Sequence, residues 1–165
     1  MHKVIIIVIV TAVIGLPISG VCKDLDDFDP ELFDEAIHTV FKETQRKAEK
    51  GDAKEQYELG KMYHDGMSSV VKVDFAKAFE WFQKAANQGH PEAQYILGEM
   101  LSTGKGVKED YQKAFHWIRK SAEQGFPAGE VLLGVMYLGG VGVKRNAQKG
   151  FEIYNIGAGK SNSIK

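Results

Sequence analysis

One twelve-residue segment of this chain occurs three times. Gly89-His90-Pro91-Glu92-Ala93-Gln94-Tyr95-Ile96-Leu97-Gly98-Glu99-Met100 lies over residues 51–62 at an offset of 38 and over residues 125–136 at an offset of 36. A second pattern follows each copy. Asp74, Lys77, Ala78, Phe79, Trp81, Lys84, Ala86, Gln88 and Gly89 recur 36 residues on as Asp110, Lys113, Ala114, Phe115, Trp117, Lys120, Ala122, Gln124 and Gly125, and a third copy runs through Asn146, Lys149, Gly150, Phe151, Ile153 and Ala158. A two-residue insertion between Gly66 and Asp74 explains the unequal offsets. Self-similarity at this period marks stacked units, each too small to bury its own apolar face, that form a continuous core only by packing on their neighbours.

The local chemistry divides each unit into two helices. An apolar pattern of helical length ends at Gly66, Gly104 or Gly140, and glycine just past a helix end accepts the left-handed cap conformation at no steric cost. Asp74, Asp110 and Asn146 then stand where a second helix needs a side-chain acceptor for its free first-turn N–H groups. Each unit therefore reads helix A, loop, helix B, turn. Gly60, Gly98 and Gly134 fall inside helix A, where each costs about 1 kcal/mol relative to alanine. Three glycines at one repeat position predict close backbone approach of helices A and B. Phe79, Trp81 and Phe82, with Phe115, Trp117 and Ile118, recur at helical spacing and are expected in the core.

The signature Ala93-Gln94-Tyr95-x-Leu97-Gly98-x-Met100, the loop Gly104-x-Gly106-Val107-x-x-Asp110-Tyr111-x-Lys113-Ala114, and Trp117-x-x-Lys120-Ser121-Ala122-Glu123-Gln124-Gly125 closely resemble the Sel-like repeat family, relatives of the tetratricopeptide repeat. The resemblance covers residues 51–158 in three copies. It implies an all-α fold, a right-handed α/α solenoid of about three helix-turn-helix repeats with an N-terminal capping helix. Repeats are expected at 51–88, 89–124 and 125–159, with a tail at 160–165. Unit three departs most: Gly129 replaces the alanine, Val131 the tyrosine, and Gly157-Ala158-Gly159 the usual helical ending. A weakened last turn is expected there.

Ahead of the repeats, Asp29-Pro30-Glu31 is a helix start, with proline in the first turn and acids at the positive end of the dipole. Phe33, Ile37, Val40 and Phe41 form one apolar face, giving a capping helix over residues 30–50. Seven acids between Asp24 and Glu35 read as a solvated linker, at 21–29, running into that helix start. Further upstream, His2-Lys3 precedes an apolar run over residues 4–16, then Pro17 and small residues near Gly20. This is the pattern of a secretory signal peptide over 1–20, and the run is short of the roughly 20 residues that cross a bilayer. Export, to a periplasmic or secreted location, is expected. Membrane contact would come only through that segment or through lipidation of Cys22, which Val21 disfavours. With a single cysteine, the chain forms no internal disulfide.

Charge and motifs narrow the function. Lys+Arg of 21 against Asp+Glu of 22 gives a net charge of -1, with no basic excess for a phosphate backbone, so nucleic acid is not an expected partner. Ser69-x-x-Lys72 and Ser102-x-x-Lys105 fit the serine–lysine pattern of penicillin-recognising enzymes, without the further partners that chemistry needs. His38, His64, His90 and His116 recur every 26 residues, out of step with the repeat, so no shared metal site is expected. No cofactor is expected either, and the chain reads as a non-enzyme.

The resemblance implies a scaffold that holds a protein partner in the groove lined by helix A. By tetratricopeptide geometry the groove residues are Lys54, Tyr57, Lys61 and His64 in unit one, Glu92, Tyr95, Glu99 and Ser102 in unit two, and Ala128, Val131, Val135 and Leu138 in unit three. The family's exported bacterial members include envelope adaptors and immunity proteins against secreted toxins, and a few are linked to penicillin hydrolysis. An envelope adaptor is the expected role, with an immunity protein or a weak β-lactam-binding serine hydrolase as alternatives. The run Val131-Leu132-Leu133-Gly134-Val135-Met136-Tyr137-Leu138 is apolar all round and needs cover. Either Tyr154, Ile156 and the C-terminal tail fold over its outer stripe, or a partner does.

Overall fold

In a computed structural model, residues 30–162 are described; the signal segment, Cys22, the acidic linker and residues 163–165 lie outside them. The described residues form seven helices: α1 (Pro30–Glu49), α2 (Ala53–Asp65), α3 (Phe75–Asn87), α4 (Pro91–Thr103), α5 (Tyr111–Glu123), α6 (Pro127–Gly139) and α7 (Ala147–Asn162). Each helix packs on the next in chain order, α1 on α2 and so on to α6 on α7, which is the stacking of an α/α repeat fold. No β-strand occurs among the described residues; the nearest thing is an isolated bridge between Met67 and Val71.

The caps fall where the sequence placed them. Asp74 accepts from the Lys77 N–H at 3.0 Å, Asp110 from Lys113 at 2.9 Å and Asn146 from Lys149 at 3.1 Å. The backbone N–H of Gly66, Gly104 and Gly140 closes the preceding helix onto the carbonyl of Met62, Met100 and Met136, with Gly104 and Gly140 in the left-handed helical conformation and Gly66, before the longer loop, at φ 73° and ψ 162°. Helix A opens differently in each unit: Asp52 and the His90 ring supply acceptors, whereas Phe126 makes no side-chain cap bond. The loop insertion of unit one forms the Met67–Val71 bridge, and Ser68 and Ser69 both donate from it to Asp34 on α1.

The glycines inside helix A do hold the paired helices close. A methyl on Gly98 would stand 2.6 Å from Ile118 Cγ1, and one on Gly134 would stand 2.7 Å from the Gly150 carbonyl oxygen. Phe82, opposite Gly60, and Ile118, opposite Gly98, are fully buried and anchor a core with Leu97, Met100, Leu133 and Met136. Burying a side chain of that size is worth about 1.5–3 kcal/mol. Phe79, Phe115 and both tryptophans differ from expectation in being half-buried, and Lys84 and Lys120 lie over the tryptophan rings at 3.6 and 4.7 Å from the centroids. The tryptophans seal the outer edge of helix B beneath a cation.

The last helix also departs from expectation. It runs unbroken through Gly157-Ala158-Gly159. Gly157 is buried, and a methyl there would stand 2.8 Å from Pro127 O, Val131 N and Glu130 Cβ. The glycine that weakens the helix in isolation is what lets α7 close onto α6. Packing overrides propensity here.

Candidate functional site

Buried glutamines set the spacing between units and so position the surface. Gln94 is 4% exposed, donates to the Ala86 carbonyl at the end of α3 (3.1 Å), and accepts from Gln124 at 2.7 Å. Gln56 repeats the arrangement one unit earlier, donating to Ala48 and accepting from Gln88. Each glutamine thus ties the start of one helix A to the end of the preceding helix B and to the end of its own unit. In unit three Glu130 stands at this position and Lys160 replaces the second glutamine, forming an ion pair instead. A carboxylate has no proton to donate to a carbonyl, and Glu130 Oε2 is left buried with no hydrogen-bond partner.

With the helices so placed, the proposed groove residues separate into two groups. Tyr57 and Tyr95 are half-buried struts between units: the Tyr57 ring stacks on His90 at 4.6 Å between centroids, and Tyr95 leans on Phe126 at 5.6 Å. Burial, with nearby carboxylates, raises both phenols above their usual pKa. His64 is held too, its Nδ1 2.6 Å from Asp65 and its ring against Phe75 and Phe82. Leu138 turns toward α7, where a methyl on Gly150 would meet it at 2.8 Å, and the Val131 backbone faces Gly157.

The remaining positions form an open strip along the A helices. Lys54 and Lys61 line a 500 Å³ hollow with Glu58, Asp65 and, from α1, Glu43 and Lys47. In unit two Glu99 is exposed, and the Glu92 carboxylate lies 3.3 Å from the His90 ring. In unit three Val135 is 45% exposed and, with Ser102, Tyr111, Leu132 and Val141, lines an apolar hollow of 220 Å³. Ala128 is half-buried at the start of the same helix. Sequence reasoning missed Glu58, Ile96 and Leu132, which stand four residues after Lys54, Glu92 and Ala128 and so one helical turn further along the same face. That spacing was the available signal. The strip therefore changes from charged in unit one (Lys54, Glu58, Lys61, Asp65) to apolar in unit three (Ala128, Leu132, Val135).

Tyr154 backs the Gly134 turn of α6, where a methyl would meet its N at 2.7 Å and its Cβ at 2.8 Å, but Tyr154 and Ile156 leave the Val135 part of the outer stripe uncovered. Those residues are themselves 38% and 53% exposed, and Val135 stays open. The tail at 163–165 lies outside the described residues.

The serine–lysine pairs do not assemble. Ser69 donates to the Asp34 carboxylate and Ser102 to the Glu99 carbonyl, while the Lys105 ammonium lies over the Phe75 ring. No group of His, Cys, Asp and Glu among the described residues is arranged to hold a metal ion, and none of the described helices is long and apolar enough to cross a membrane.

Comparison with known proteins agrees with this architecture. Over 60 residues the chain is 37% identical to the ERAD-associated E3 ubiquitin-protein ligase component HRD3A of Arabidopsis thaliana, matching 36% of this chain and 9% of that protein. Among solved structures it is similar to c5321, a protective antigen of uropathogenic Escherichia coli displaying an SLR fold, at 38% identity and TM-score 0.68 over 73% of this chain and 25% of that one. It is also similar to a Sel1 repeat protein from Oxalobacter formigenes, at 36% identity and TM-score 0.67 over 74% of this chain and 49% of the other. The chain thus spans at most about half the length of each. The family model of the Sel1 repeat matches three times in succession, over residues 56–90, 91–126 and 127–162, each match beginning inside or at the start of a helix A and ending at or beyond the end of its helix B. With the repeat matched over most of its length and the helix pairs stacked in that order, this chain belongs to the Sel1 repeat family.

Proposed function

We infer that the chain is an exported interaction module, an envelope-side adaptor that grips one partner segment along the open strip of its A helices. Sel1 repeat proteins generally mediate protein–protein interaction, and HRD3A is named as a component of a larger ligase assembly. The observation that carries the finer reading is the graded strip, with Val135 exposed beside an apolar hollow at one end and four alternating charges at the other. Exposed apolar surface rimmed by polar groups marks association sites. A partner segment with apolar residues at one end and mixed charge at the other fits both ends at once. The apolar end supplies affinity and the charged end sets register.

Support for export is the basic start, apolar run and small residues before Gly20. Cell fractionation with N-terminal sequencing of the purified protein tests it, and an intact Met1 terminus in the cytoplasmic fraction overturns it. For the strip, peptides selected against the purified protein are retested on variants. Val135→Asp should weaken binding at least about tenfold, the effect of losing one apolar anchor, with thermal stability retained because Val135 is already half open to water. Binding that survives both Val135→Asp and Lys61→Glu shows that the partner docks elsewhere.

A further inference from the structure

The outward face of α7 repeats a surface that the solenoid covers everywhere else. In α5 the following unit packs on the stripe Tyr111, Phe115, Ile118 and Ala122, leaving only Tyr111 open at 44%: Phe115 meets Tyr137 edge-on at 5.4 Å, the backbone at Gly142 presses on Tyr111, and Gly129 packs beside Ala122. Ile118 and Ala122 are 0% and 8% exposed, Ile118 being held as well by Gly98 of its own unit. Thirty-six residues on, the same positions are Ala147, Phe151, Tyr154 and Ala158. Phe151 is 59% exposed and Tyr154 38%.

Three features specify what would cover it. The four residues are spaced by 4, 3 and 4, which is the seam of a paired helix. The stripe is self-complementary: about a two-fold axis between residues 152 and 153, Ala147 would face Ala158 of a second copy and Phe151 would face its Tyr154, so that small meets small and ring meets ring. Its exposed flank carries the uncharged Gln148 and Asn155, with the Glu152 carboxylate, which accepts from Gln148 at 3.3 Å, turned further from the stripe. The other end of the molecule does not match this stripe. The outward residues of α1 include Glu35, His38, Lys42, Glu43 and Arg46, and a head-to-tail stack would bury those charges against aromatic rings. We propose that two copies of this chain associate tail to tail, α7 against α7 in antiparallel register, extending the inter-repeat interface across a two-fold axis.

Sedimentation equilibrium of the purified protein from about 1 to 200 µM, a range that brackets the micromolar affinity of a small interface, tests this. A dimer is expected within that range, and Phe151→Glu is expected to weaken it about 30-fold, the size of a central aromatic anchor. Circular dichroism should show unchanged helix content, since Phe151 is exposed. Ile156→Glu, on the opposite side of α7, should leave the dimer intact. In a Cys22→Ser background, Ala147→Cys with Ala158→Cys should oxidise to a covalent dimer, whereas either substitution alone should not. A monomer throughout the range, or a dimer that Phe151→Glu does not weaken, overturns the proposal, as does a dimer lost with Ile156→Glu but not with Phe151→Glu.

Discussion

Two glycines in α7, two residues apart, should respond to the same substitution with opposite sign. A methyl on Gly157 would lie 2.8 Å from Pro127 O, from Val131 N and from Glu130 Cβ, two of them backbone atoms of α6 that no rotamer change can move. Restoring ordinary contact requires α6 and α7 to separate by about 0.7 Å at that point. Overpacking against two backbone atoms at once falls in the upper part of the usual range, about 2–3 kcal/mol, and alanine returns about 1 kcal/mol of helix propensity, so Gly157→Ala should destabilise by about 1–2 kcal/mol. A methyl on Gly159 meets nothing within 4 Å, and its backbone is ordinary helix. Gly159→Ala should therefore stabilise, by about 0.5–1 kcal/mol near a fraying end. The difference corresponds to roughly 5 °C in Tm for a chain of this size. Parallel urea and thermal melts followed by circular dichroism measure it. Because repeat arrays can lose their last unit first, hydrogen exchange of the α6 amides should shift in the same two directions. Equal effects at the two positions, or stabilisation by Gly157→Ala, would refute the argument that close approach of α6 and α7 is what demands glycine at 157.

Three further outcomes follow from the same packing. Gln94→Ala removes a donor to Ala86 and an acceptor from Gln124 inside the core, and should cost about 1–3 kcal/mol in a urea melt. Glu130→Gln combined with Lys160→Gln rebuilds the same pair of bonds in unit three and should stabilise by about 1 kcal/mol; a loss of stability would show that the ion pair contributes more than the bonds it displaced. Asp74 and Asp110 are held below the usual carboxylate range, first by the Lys77 and Lys113 backbone N–H groups they accept. A depressed folded-state pKa means that their contribution is complete above the ordinary value near 3.8 and is lost as pH falls from there through the lowered folded-state value. Tm measured from pH 6 down to pH 2 should therefore fall at the acid end, and fall less for the Asp110→Asn variant, whose cap does not titrate.

The helix pairs were legible because their signals are local. A cap acceptor, a terminal glycine and a 3.6-residue apolar period each act within one or two turns, and three copies in register make them unmistakable. The capped starts at Asp74, Asp110 and Asn146 and the closures at Gly98 and Gly134 lie where the repeat put them. Less of the candidate site could be read. Tyr57, Tyr95 and His64 share the A-helix side with Lys54 and Lys61, and only the neighbouring unit decides that the rings are held in stacks while the lysines stay open.

The sequence by itself therefore determined the repeat, the two helices of each unit, the caps and the glycines at their crossing, all governed by interactions between residues near in the chain or at equivalent repeat positions. Tertiary structure alone decided three things. Gly157 became a contact point instead of a helix end because Pro127 and Val131 come to lie against it. The groove narrowed to a strip without Tyr57, Tyr95 and His64 because stacking turns only part of each A helix outward. The stripe on α7 stayed open because the surface that covers its counterpart on α5 belongs to the next unit, and burial depends on which neighbour is present rather than on the residue's own chemistry.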